Sequence, residues 1–328
     1  MSSEVFFIKD VKEEKLHALL EHAGVGDLTG VVALKMHMGE RNNRTFVKPI
    51  FIKPIVEAVK KHGGRPFVTD TTTIYKEKRY TAMDYYETAF AHGFLPSLLG
   101  CPVLIADGLK DDGVPVSEHV EIAKSIYESD SMLVISHATG HGASSFGGAI
   151  KNVAMGCVTK KTKKYQHEVT KPVLNRDLCT DCDKCREVCK HHAISEAHLI
   201  NFDACVGCGA CIAVCESHAL SSPPDMSPNL QKRLAEVASI VLHALPYTNL
   251  LYINFLIDIT LFCDCAEFAP EYLCPDIGVL ASKDIVAVDM ATIEMIKKEK
   301  FDGDPTIQAV SYTHLRAHET EADLVCRL

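Results

Sequence analysis

Residues 132–156 read MLVISHATGHGASSFGGAIKNVAMG, and their order decides the fold class. The apolar, β-branched run at 132–136 has strand character. Five glycines follow between Gly140 and Gly156, and the stretch after Gly148 can start a helix. Strand, glycine-rich turn and helix in that order are the unit of a parallel α/β sheet. The glycines, Gly147 and Gly148 among them, permit close backbone approach to a cofactor, and a helix N-terminus behind Gly148 favours an anion. The plain alternative is a flexible loop with two exposed histidines.

The same beat runs outward from this segment. Further strand candidates lie at 5–8, 31–36, 66–69 and 103–106, and amphipathic helices at 13–23, 54–62, 82–92 and 117–127. Residues 171–225 interrupt it with dense cysteine and close on the linker Ser221-Ser222-Pro223-Pro224. It resumes with helices at 229–245 and 292–300 and strands at 251–257 and 285–288. The expected fold is therefore α/β, a mostly parallel sheet flanked by helices. Residues 1–170 begin it, 226–308 complete it, and 171–225 are an inserted module. In open parallel sheets ligands sit at the carboxyl ends of strands, so Asp70, Asp107, His137, Asp258 and Asp289 are candidate cleft residues, although an Asp after a strand is more often a cap or turn residue and only their convergence is informative. His37, Glu40, Arg41 and Arg44 follow a strand and suit an anionic substrate, or form a charged surface loop. The basic run Lys160, Lys161, Lys163 and Lys164 reads as a solvated loop.

The interrupting module carries CTDCDKCREVCK at 179–190 and CVGCGACIAVCE at 205–216, with every cysteine shifted by 26 residues. Asp177 and Asp203, His192 and His218, and Ala193 and Ala219 repeat as well. This spacing lets a tight loop wrap three thiolates around one cubane while the fourth reaches the other cluster. One 4Fe-4S cluster is then expected on Cys179, Cys182, Cys185 and Cys215, and the second on Cys205, Cys208, Cys211 and Cys189. Zinc would call for paired CxxC knuckles around single tetrahedral sites instead. The module resembles a bacterial-type two-cluster ferredoxin, departing from it where Lys190 and Glu216 replace the usual proline.

The chain as a whole resembles the uncharacterised domain of unknown function 362 family of ferredoxin-containing proteins, over about residues 1–308. The stretches that carry the resemblance are LKMHMGE at 34–40, TDTTTIY at 69–75, IADGL at 105–109, SHATGH, FGGAIKN and MGC within 136–157, CDC at 263–265 and DIGVLASKDIVAVD at 276–289. The family implies the fold and the clusters but no reaction. A weaker resemblance, to nickel-pincer lactate racemases, rests on His141, FGGAIK with Lys151, and His167. It implies a lysine-held organic cofactor and a histidine-ligated nickel.

Composition limits the function. The chain has 328 residues, a formal charge of −9 and 47% hydrophobic residues, so a general nucleic-acid binder is disfavoured. The run 250–263 is too short and too polar to span a bilayer, and no secretory leader is read at the start. Fourteen cysteines in a chain expected to be cytoplasmic argue for metal ligation. Cys263, Cys265, Cys274 and Cys157 are either a further soft-metal site or buried thiols. The leading expectation is an iron–sulfur oxidoreductase passing electrons to or from a cofactor or small substrate in the cleft, served by a redox partner protein. His37, Asp70, Asp107, His137, His141, Lys151 and His167 are its cleft residues. The rivals are a nickel-pincer racemase or epimerase and a non-enzymatic electron carrier or cluster scaffold. Residues 309–328 resemble the translation of sequencing-adapter DNA, and are expected to be non-native.

Overall fold

The computed structural model describes residues 3–267 and 271–299; the 309–328 segment and Lys300 lie outside them. One seven-stranded sheet organises the chain. Its strands are β1 (Phe6–Ile8), β2 (Val31–Met36), β3 (Arg65–Asp70), β4 (Val103–Ile105), β5 (Ser131–His137), β6 (Leu250–Leu256) and β7 (Gly278–Ser282), in spatial order β1-β7-β6-β5-β2-β3-β4. From β6 to β4 all neighbours are parallel, and β7 and β1 continue the sheet antiparallel.

Period-2 side chains sort each strand between two helical layers. On β5, Leu133 and Ile135 pack with α1 (Glu13–Ala23), α2 (Pro49–Lys61) and α3 (Ala82–Ala91). Met132 and Val134 pack on the other side with α4 (Ala149–Gly156), α6 (Met226–Ala244) and α7 (Ile285–Lys298), while α5 (Lys160–His167) follows α4. Because both faces are covered, the central strands are near-continuous apolar runs. After α5 the chain leaves the sheet, and an antiparallel pair of Val173–Leu174 with Leu220–Ser221 closes off the cysteine-rich segment before α6 and β6.

Four local expectations are corrected. The β-branched run 285–288 opens α7, because Asp284 accepts hydrogen bonds from the N–H groups of Val286 and Ala287 and so caps a helix there; the expected strand is supplied by β7. The helix expected at 54–62 begins at Pro49, a proline preset for a first helical position, and carries Pro54 inside it. Of the stretch 117–127 only Lys124–Tyr127 is helical; before it the chain forms a hairpin, Gly113–Pro115 with Glu121–Ala123, because Ser117 Oγ accepts from Val120 N and turns the chain. Lys160 to Lys164 lie in α5, and Lys163 is buried.

Asp289 also differs from its expected place at a strand end. It sits in α7, fully buried, and accepts from Ala149 N at 2.8 Å, Ile150 N at 2.9 Å and Asn254 Nδ2 at 2.7 Å. The anion at the N-terminus of α4 is therefore this carboxylate. Gly148 is required beside it, since a Cβ there would lie 2.5 Å from Asp289 Oδ1. Replacing Asp289 with Ala strands three buried donors, so chemical denaturation should show a loss of ~3 kcal/mol or more; a loss under ~1 kcal/mol would mean that those donors find other partners.

Candidate functional site

A cavity of about 190 Å³ opens at the carboxyl ends of β2, β3 and β5, where a parallel sheet leaves room for a ligand. Its wall includes His37 after β2, Asp70 at the end of β3 and His137 at the end of β5. His141, Gly147, Gly148, Lys151 and His167 also line it. Asp107 is not among the lining residues: its carboxylate accepts from Thr72 N at 3.0 Å and holds the loop after β3. Asp258 stands outside the lining too, with its N–H on Asp276. Of the group at 37–44 only His37 reaches the cavity. Glu40 is spent on buried Arg79 at 2.8 Å, and Arg41 donates to the Glu87 carbonyl.

Buried charges in the wall each meet a polar partner. Lys35 Nζ lies 2.9 Å from Asp70 Oδ1. Burial opposes the charge on Asp70, but Lys35 and then Lys163 outweigh it and hold the carboxyl below its usual range. Lys163 donates to Thr71 Oγ1 at 2.6 Å, and burial brings its ammonium down to about 8. His167 is pushed down to about 4, by burial and then by Lys151, so it is a neutral imidazole within 3.2 Å of the Tyr75 hydroxyl.

His137 has both nitrogens engaged, Nδ1 at 2.8 Å from Asp264 Oδ2 and Nε2 at 2.6 Å from the Ile257 carbonyl. Two acceptors call for two N–H donors, hence an imidazolium. Burial works against that charge, yet Asp264 overcomes it and raises the His137 pKa. The ring is thereby fixed as a strut beneath the loop 263–265.

That loop brings Cys263 and Cys265 into the cavity wall. His37 Nδ1 accepts from Gly39 N at 2.9 Å, which leaves Nε2 as a donor, 3.4 Å from Cys265 Sγ. Cys265 is held well below the usual thiol range, first by a hydrogen bond from Cys263 and then, against burial, by His37 and Arg79. Cys157 and Cys274 are instead buried in the apolar core, both pushed up to about 12.

A second feature flanks the cavity. One small hollow is lined by Cys179, Cys182, Cys185 and Cys215, and another by Cys189, Cys205, Cys208 and Cys211. The 26-residue repeat is visible in the backbone: Asp181 and Gly207, Asp183 and Gly209, and His192 and His218 all have positive φ. Asn201 N donates to Ala193 O as Asn175 N does to Ala219 O, and Ala193 N and Leu220 N donate to the sulfurs of Cys189 and Cys215, both at 3.3 Å. The second hollow's loop rests on the cavity wall, since Thr170 Oγ1 donates to Gly207 O at 2.9 Å and lies 3.3 Å from His167 Nδ1.

The family profile described as domain of unknown function, DUF362, matches residues 32–294. The chain belongs to this family. No curated protein matches the sequence. Among solved structures, this DUF362 protein is similar to a Thermotoga maritima protein at 11% identity and TM-score 0.41, over 98% of this chain and 61% of that one. It is also similar to the lactate racemase apoprotein from Thermoanaerobacterium thermosaccharolyticum at 10% identity and TM-score 0.42, over 90% and 58%. It thus spans about three-fifths of the length of each.

Sequence reasoning did not assign Lys35, Tyr75, Arg79, Lys163 or Asp264 to the site of this DUF362 protein. The stretch TDTTTIY held a signal, since Thr71, Thr73, Ile74 and Tyr75 all line the cavity beside Asp70. None of the described helices is long and apolar enough to cross a membrane. The His137–Asp264 pair gives a pH dependence of known sign. Stability from the raised His137 pKa is complete below about pH 6.5, the unfolded value, and is lost as pH rises through the folded value. Stability from the lowered Asp264 pKa is present above about pH 3.9 and is lost as pH falls through its own folded value. The His137 imidazole should titrate by NMR with a midpoint above 6.5 that drops in Asp264→Asn; an unmoved midpoint would remove Asp264 as the cause.

Proposed function

We propose that this protein is an iron–sulfur electron-transfer protein, with residues 171–225 a ferredoxin-like insert holding two 4Fe-4S clusters and exchanging electrons with a small substrate or cofactor in the cavity. The observation that carries the reading is the make-up of the two hollows. Each takes three cysteines from one copy of the repeat and the last cysteine from the other, the crossed pattern of a two-cluster ferredoxin. The donor set fits: all four cysteines of each quartet are free, apolar Ile194 and Ile200 line both hollows, and backbone N–H groups point at two of the sulfurs. A 4Fe-4S cluster bound there would supply a one-electron couple whose potential follows its hydrogen bonds and exposure.

The chain's own residues provide a link to the cavity. Gly207, between Cys205 and Cys208, meets Thr170, which meets His167, which meets Tyr75. His167 and Tyr75 both face the cavity. His141 and Lys151 lie in the same wall, where Lys151 suits a carboxylate or phosphate and His141 a proton transfer. A separate redox protein is the natural electron source, and the free thiols suit a reducing compartment such as the cytoplasm.

Anaerobically purified protein should contain about eight iron and eight sulfide per chain, and Cys208→Ser should lose about half of each. His141→Ala and Lys151→Ala should leave the metal content unchanged. Zinc in place of iron would overturn the reading. One nickel per chain with a mass adduct on Lys151 would assign the cavity to the nickel-pincer racemase or epimerase chemistry instead.

A further inference from the structure

The loop 263–265 sets two thiols one residue apart on a fixed backbone. Ala266 N donates to Cys263 O at 3.0 Å, Glu40 N donates to Asp264 O at 2.9 Å, and the Asp264 side chain is bonded to His137. Anchoring the middle residue from both its backbone and its carboxylate leaves Cys263 and Cys265 on the cavity wall, both free and half-buried. Cys263 hydrogen-bonds to Cys265, and His37 Nε2 donates to the same sulfur.

Two arrangements of such a pair are chemically distinct. A metal site needs an unprotonated imidazole nitrogen and converging donors. Here the Gly39 N–H occupies His37 Nδ1, so the nitrogen facing Cys265 carries the proton. Among the described residues, no three cysteine, histidine or acidic ligand atoms of this cavity lie within 4.8 Å of one another. A redox pair needs one sulfur that is already an anion and a second within reach to resolve it. Cys265 receives donors from two sides, with Arg79 adding its charge, and Cys263 is the neighbouring thiol. The buried thiols of Cys101, Cys157 and Cys274 have no such surroundings: burial pushes them to about 11, 12 and 12.

We infer that Cys263 and Cys265 form a redox-active dithiol in the cavity, Cys265 the attacking thiolate and Cys263 the resolving thiol, cycling with an intramolecular disulfide. On oxidation the Cys263 thiol and the Cys265 thiolate form one S–S bond and release two electrons and one proton, the proton leaving to solvent through the cavity. The reverse consumes the same. Two one-electron centres in the neighbouring quartets match that count, a match that rests on the two-cluster reading; the dithiol itself does not. Tyr75 lines the same cavity as the two thiols, with its hydroxyl 3.2 Å from His167 Nε2. The partner that such a thiolate serves is a small disulfide, attacked by Cys265 and released when Cys263 closes the ring.

The test uses the full chain, purified anaerobically and equilibrated in glutathione redox buffers. It is then acid-quenched, alkylated with iodoacetamide and peptide-mapped. Cys263 and Cys265 should lose alkylation together in one two-electron transition, while Cys157 and Cys274 stay alkylated throughout. With oxidised glutathione, Cys263→Ser should trap a mixed disulfide on Cys265 at least about tenfold faster than Cys265→Ser traps one on Cys263. The idea fails if both thiols in the unaltered protein remain alkylated at every potential, or if a stoichiometric metal shields them. Iron and sulfide counts on the same samples judge the cluster reading separately. A two-electron disulfide transition without iron keeps the dithiol and sinks the clusters, and full iron without that transition does the reverse.

Discussion

A lysine in the middle of a parallel sheet constrains everything built around it. Lys35 lies on β2 with its ammonium buried, and Asp70 at the end of β3 is the carboxylate that matches it. Removing either partner alone would leave an uncompensated buried charge, a strongly destabilising defect. The pair therefore fixes neighbouring positions as well. Tyr85 of α3 donates to Asp70, Asn152 of α4 accepts from Lys35, and a Cβ at Gly156 would lie 2.1 Å from the Lys35 ammonium. The two helical layers are thus tied to one ion pair at the floor of the cavity, and a floor set by charge matching cannot drift as an apolar one can.

The walls extend the same logic outward. Arg79 with Glu40 and His137 with Asp264 are further buried pairs, and each anchors a loop that a sheet alone would leave mobile. Asp264 is the most consequential, because its neighbours on both sides are the cavity thiols. Among the wall cations, Lys35 is held by Asp70, Arg79 by Glu40 and Lys163 by threonine oxygens. Among the described residues Lys151 of the same wall makes no salt bridge or hydrogen bond, so it is the cation best able to meet an incoming anion.

The architecture was readable where one periodicity acts alone. The run VVALKM needed only its apolar density to be read as a buried strand, and α1 needed only its amphipathic spacing and Gly24 at its end. It was misread where a cap competes with propensity. Val286 and Val288 favour strands, but Asp284 supplies two hydrogen bonds to the first turn of a helix and prevails. In the site, the candidates read from sequence were those that end strands or stand beside glycines. Arg79, Lys163 and Asp264 carry no such local mark. Their roles come from partners 39, 92 and 127 residues away, and no local pattern encodes separations of that kind.

The cysteines show why spacing and surroundings answer different questions. In the repeat, spacing carries the geometry: two copies of one backbone path bring positive-φ residues to matching places, and each hollow is lined by three cysteines of one copy and the last of the other. At CDC the spacing is equally short but does not decide between metal ligand, inert thiol and redox pair, because all three tolerate it. What separates them is the proton on His37 Nε2, and that proton is assigned by an N–H group two residues along at Gly39. The chemistry of the sulfur on the 263–265 loop is thus set by a turn after β2, across the cavity, which is why a thiol motif acquires its meaning only in the folded chain.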